Sequence, residues 1–260
     1  MLNVTNTERL MGVTISGTYD DLNQIYTAIE RVIGPEESYE LTILRILAVC
    51  YDLRHCFMGN REIELVDNSY YKEKQKYHGI IHSGTNVHFK VNINWIQIIF
   101  VILALDDYIK LYGDDKNFNK IMKKSEVSAK QKEYYKLRRF EDIALVRLFQ
   151  EKVWKAFREA CGDAAYKRLY NKAKANDKDL FNCGYLHFCT HYLDVLEIKY
   201  IYSDVEKRKK LLATLTRKII VPGEDYYKVY DEVSSFATEN NITKDKVIYR
   251  NIQFPEHIEW

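Results

Sequence analysis

The run Trp95 to Leu105, WIQIIFVILAL, restricts this chain more than any other stretch, because only Gln97 among its residues is polar. It stops at Asp106-Asp107, well short of the roughly 18 to 20 apolar residues that a membrane span requires. A helix apolar on every side but too short to cross a bilayer has to be enclosed by other elements, so the run predicts a buried helix in a soluble protein. Asn94 is placed to cap it, and Tyr112-Gly113 marks its expected end. The chain of 260 residues is 47% hydrophobic, enough to build the enclosing layers.

Around that helix the N-terminal pattern is mixed. VTISG at residues 13–17 is β-branched and alternating, a strand that can pair with LNV at 2–4. A helix follows, capped by Asp20 or Asp21, with Leu22, Ile25, Tyr26, Ile29 and Val32 at helical spacing up to Gly34-Pro35. A second helix is expected from about Tyr39 to Met58, closed by Gly59-Asn60, and REIELVDN then alternates like a half-buried strand. Residues 75–93 read as a hairpin turning at Ser83 to Asn86.

Residues 116–139 carry nine Lys/Arg against two Asp/Glu, although the whole chain has a net charge of only +2. With weak apolar periodicity, 114–138 is expected to be a basic loop or linker. Beyond Arg139 the pattern is helical almost throughout, with a last strand expected in the tail KVIYRNIQFPEHIEW. The expected class is therefore α+β: a small antiparallel sheet with helices over residues 1–113, and a mainly helical part over 139–260 packed on it as one body. The five cysteines, Cys50, Cys56, Cys161, Cys183 and Cys189, have no C-x-x-C spacing, which is the usage of a reducing compartment. MLNVTNTERL lacks the basic and apolar regions of a signal peptide, so a cytoplasmic location without membrane contact is expected.

Candidate chemistry begins with Arg54. On a helical projection it falls within the apolar arc of Ile43, Ile46, Leu47, Cys50, Tyr51, Leu53, Phe57 and Met58, where a permanent cation requires an anionic companion. The structural alternatives are an outward-reaching side chain, contact with the last helical carbonyls, or pairing with Asp106 or Asp107. His55 has Asp52 at i−3, which can orient a ring nitrogen. A ligand site here would draw on Tyr51, Asp52, Arg54, His55 and His78, between the sheet and its helices.

A second candidate is the stripe Cys183, His187, His191 and Asp194 in LFNCGYLHFCTHYLDVL, if that stretch is one helix. Imidazoles at i and i+4 can hold a divalent metal, but zinc needs a further ligand, and Phe188-Cys189-Thr190 leave no glutamate between the histidines. Of His78, His82 and His88, the first two can share a strand face, but that face is apolar and suits core histidines better than ligands. Glu197 to Lys199 with Asp194 has the carboxylate-lysine composition of metal-dependent nucleases, but on a helical pattern, and SGT at 16–18 is a poor phosphate loop. The basic segment with Tyr134 and Tyr135, and a second lysine cluster at Lys207 to Lys210, could track a phosphate backbone.

The N-terminal half resembles an uncharacterised bacterial protein family, a domain of unknown function, through GVTISGTYDDLNQIYTAI, CYDLRHCFMGNREIELVDN, KYH at 76–78 and the closing PEHIEW. The resemblance implies no activity, cofactor or catalytic residue. The residues favour a binding or interaction protein recognising an anionic small molecule or a protein partner. A metal-dependent hydrolase or nuclease, and a nucleic-acid-binding protein acting through the basic segment, are the alternatives. No cofactor is strongly implied.

Overall fold

The computed structural model describes residues 2–34, 41–67, 84–124, 128–176, 184–250 and 252–260. Four strands form one antiparallel sheet: β1 (Asn3–Asn6), β2 (Gly12–Gly17), β3 (Glu62–Asp67) and β4 (Thr85–Asn94), in the order β1-β2-β4-β3. Register places Val13 opposite Ile93 and Ile15 opposite Val91, so these four apolar side chains share the face that meets the helices. The expected pairing of the first two strands holds. The hairpin expected at 75–93 does not turn at Asn86: Thr85 and Asn86 already belong to β4, opposite Asp67 and Val66. Its first arm, with His78 and His82, lies outside the described residues. β3 is an edge strand whose Ile63 and Leu65 are exposed, where half-burial was expected.

Helix α1 (Tyr19–Ile33) opens with a capping box: Thr18 accepts from the Asp21 amide and Asp21 accepts from the Thr18 amide. Thr18, not Asp20 or Asp21, is thus the capping residue. Helix α2 (Leu41–His55) runs into a wider turn at Cys56–Asn60, where Gly59 adopts φ 83° and reverses the chain into β3.

The apolar run forms α3 (Trp95–Gly113), capped by the Asn94 side-chain oxygen, which accepts the Ile96 N–H at 2.8 Å. Every residue from Trp95 to Leu105 except Gln97 is buried. Enclosure comes from all sides, by β2, α1 and α2 of the N-terminal part and by three later helices, α5 (Ala129–Cys161), α7 (His191–Ile201) and α8 (Val205–Ile220). The remaining helices are α4 (Asp115–Lys124), α6 (Asp163–Asn176) and α9 (Glu224–Glu239). No helix among the described residues is long and apolar enough to cross a membrane.

The segment read as a basic loop is helical over nearly all its described residues: α4 occupies 115–124, and α5 starts at Ala129 behind a Ser128–Gln131 capping box. Lysine, arginine and glutamine are good helix formers, so a stretch without an apolar stripe can still be helical when its continuation is anchored. The anchor is the stripe Val146, Phe149, Val153, Ala156, Phe157 and Ala160 of α5, all buried. Phe118 of α4 packs edge-on against Tyr112, and Asp115 pairs with the buried Arg139 at 2.8 Å. In the tail, Lys244–Lys246 forms a single 3-10 turn and the described residues after it form no strand.

Candidate functional site

The α2 locus is not assembled as its sequence suggests. The arc that is apolar in composition is wider than the arc the fold covers: Ile43, Ile46, Val49, Cys50 and Leu53 are buried, while Leu44, Tyr51 and Met58 are exposed. Arg54 lies at the uncovered edge and is exposed, its guanidinium 5.8 Å from the Tyr51 ring centre. It therefore needs no buried anion. Asp52 pairs with Arg61 at 2.8 Å and not with His55, whose Nδ1 instead faces the Asn60 amide at 3.2 Å while its ring rests on Tyr51. His78 lies outside the described residues.

The histidine stripe is also taken apart. Gly184 and Phe188 are extended, leaving Tyr185–His187 as a separate 3-10 turn, and α7 begins only at His191. His191 is buried, its Nε2 donating to the Val247 carbonyl at 3.0 Å, and Asp194 accepts from Arg45 at 2.6 Å. His187 is exposed on the other side of the break, and Cys183 lies outside the described residues. Among the described residues no group of three or more His, Cys, Asp or Glu could hold a metal. Glu197 and Lys199 lie on α7, on a helix as their pattern implied.

What the fold does assemble is a cleft of about 750 Å³ walled by α3, α5, α6 and the 3-10 turn, with Ile220 of α8 beneath. Its floor is apolar: Leu103, Leu169, Tyr185 and Ile220 are buried. One wall is aromatic. Trp154 of α5 stands 5.7 Å from Tyr166 of α6, and Tyr166 stands 6.0 Å from Tyr170 one turn on. These rings offer flat faces for an apolar, planar body.

The polar groups converge where the apolar face of α3 ends, about two turns along α5 from Trp154. Asp106 accepts from Arg147 and from the Gln150 amide at 2.9 Å, and the Gln150 carbonyl oxygen accepts from Arg147 at 3.0 Å. Gln150 is itself held by the Ile102 carbonyl at 2.6 Å, so the Arg147 guanidinium is fixed by a buried partner. Asp107 accepts the Tyr185 N–H at 2.8 Å, and burial pushes its carboxyl above the usual carboxylate range against the opposing pull of the Tyr185 and Leu186 amides and of Lys110. Lys110 and His187 complete the rim. The cleft thus joins a flat apolar surface to the Arg147–Asp106 ion pair and to the oriented Asp107 carboxyl.

Of the residues singled out in the sequence, only Asp106, Asp107 and His187 reach this cleft. Arg147, Gln150, Trp154, Tyr166 and Tyr170 were missed, and the available signals were faint: an apolar run ending on two aspartates, and tyrosines four apart in DAAYKRLYNK. A family model described as a domain of unknown function, DUF6904, matches residues 2–260. No curated protein and no solved structure matches the chain.

Proposed function

The chain belongs to the DUF6904 family, and on that footing we propose that it is a cytoplasmic binding protein whose α3–α5–α6 cleft takes a small molecule with a flat ring and a zwitterionic head. The observation that carries the reading is the presence, in one cleft, of the Trp154–Tyr166–Tyr170 rings together with Arg147 and Asp107. A ring stacked on the wall would bring a carboxylate toward the guanidinium and an ammonium toward the aspartate. Both polar groups are already held by protein hydrogen bonds, so binding orders little that is loose. The cytoplasmic assignment is supported by the free thiols of Cys50, Cys56, Cys161 and Cys189.

The test is protein-observed NMR of the tryptophan indole N–H resonances with four ring-matched probes: indole, tryptamine, indole-3-acetate and tryptophan. Tryptophan is expected to shift the Trp154 resonance at the lowest concentration, and Asp107→Asn to weaken that response roughly tenfold, as loss of a charge-assisted bond does. If all four probes leave Trp154 unmoved, or indole alone acts as strongly as tryptophan, the reading fails.

A further inference from the structure

We propose that a second cleft, between α6 and α8, binds a compact anion carrying several linked phosphates. This cleft has a volume of about 690 Å³ and is lined by Arg168 and Lys172 from α6 and by Lys209, Lys210 and Arg217 from α8, against one carboxylate, Glu206. Small side chains on its floor, Ala165 and Ala213, let the two helices approach, so cations from both walls face one space.

What sets these five apart is that they converge on one space. Near by, Lys207 pairs with Asp204, Lys218 with Asp225, and Arg158 with Glu151 at 2.7 Å, while Arg208 turns inward to the Arg9 carbonyl at 2.8 Å. The cleft cations have no ion pair among the described residues. In a chain with 39 Lys/Arg and 37 Asp/Glu, five cations converging on one space against a single lining carboxylate hold a field that an anion can answer.

The size and chemistry of the anion follow from the lining. Lys210 and Arg217 are seven residues apart on α8, about 10 Å along the helix at 1.5 Å per residue. Arg168 and Lys172 lie one turn apart on the facing wall. That reach suits a short chain of phosphates. Among the described residues no aromatic side chain lines the cleft, so they provide nothing for bases to stack on, which disfavours a single-stranded nucleic acid.

The experiment is isothermal titration of the full-length protein with inorganic tripolyphosphate at low salt, repeated with orthophosphate and with a single-stranded oligonucleotide. Tripolyphosphate is expected to bind more tightly than orthophosphate, and its affinity to fall steeply with added salt. Replacing Arg168→Gln together with Lys210→Gln, both at exposed positions, should weaken it roughly tenfold or more. Lys130→Gln with Lys132→Gln, on the basic start of α5, should change nothing. The proposal is overturned if the cleft variant binds like the parent, if the α5 variant is the one that weakens, if salt has no effect, or if the oligonucleotide binds more tightly per phosphate than tripolyphosphate.

Discussion

Glu197 shows how one buried carboxyl sets a stability profile. It is 9% exposed on α7, and burial pushes its carboxyl up to about 7 from 4.5, with Arg45 pulling down and Asp194 pushing further up. Arg45 is already engaged by Asp194 at 2.6 Å, so it cannot fully offset the cost of ionising Glu197. A folded-state value raised above the unfolded one stabilises the protein below about pH 4.5, and that contribution is lost as the pH rises through about 7. At 1.4 kcal/mol per unit the effect is at most roughly 3 kcal/mol. Glu197→Gln keeps the shape and removes the charge. Urea unfolding should therefore find the variant more stable than the parent by roughly 1–3 kcal/mol at pH 8 and nearly equal to it at pH 4.5; the same difference at both pH values would refute this account. The sequence shows Glu197 only as part of a charged triplet, because its burial comes from helices elsewhere in the chain that pack on α7. Arg54 is the opposite case, a cation on a composition-apolar arc that stays in solvent because the arc exceeds what the sheet and α1 can cover.

At the scale of elements, legibility follows how local the signal is. Alternation at Val13 to Gly17, the Asn94 cap and the all-round apolar face of α3 depend on neighbouring residues, and each element stands where its pattern puts it. The start of α5 has no such local signal; its helicity is carried by a stripe that begins near Asp142 and by capping at Ser128. The stretch before α7 fails for the converse reason, since apolar residues at helical spacing are pulled out of a helix when the Tyr185 amide is claimed by Asp107. One element contact can be tested directly. A Cβ at Gly12 would stand 2.0 Å from the Ile93 carbonyl oxygen, at the end of the β2–β4 pairing where Gly12 lies opposite Asn94, so one backbone would have to move away from the other. Gly12→Ala should cost roughly 2 kcal/mol or more. Gly113→Ala, whose new atom would meet the Ile143 side chain at an ordinary 3.8 Å, should be close to neutral. Equal urea midpoints for the two variants would contradict the close approach at Gly12.

For the whole molecule, the change in charge near residue 114 suggests a boundary, but the buried contacts ignore it. Asn6 donates to the Ala156 carbonyl at 2.9 Å, Thr42 to the Tyr185 carbonyl at 2.5 Å, and Arg31 pairs with the buried Asp142 at 2.9 Å. The candidate cleft could not be read from sequence for the same reason: its walls come from positions between Leu103 and Ile220, brought together only because α3 must be enclosed on all sides. Cutting the chain after residue 113 would strip α5, α7 and α8 from α3 and bare Ile98, Phe100, Ile102 and Leu105, whose burial drives the assembly. Unfolding should therefore be a single transition, with far-ultraviolet circular dichroism, which follows the helices, and tryptophan fluorescence, which follows Trp95 in the core and Trp154 in the cleft, tracing the same curve in urea. If fluorescence and dichroism separate into two midpoints, the N-terminal sheet and the C-terminal helices are independent units. The enclosure of α3 would then not be the interaction that builds the cleft.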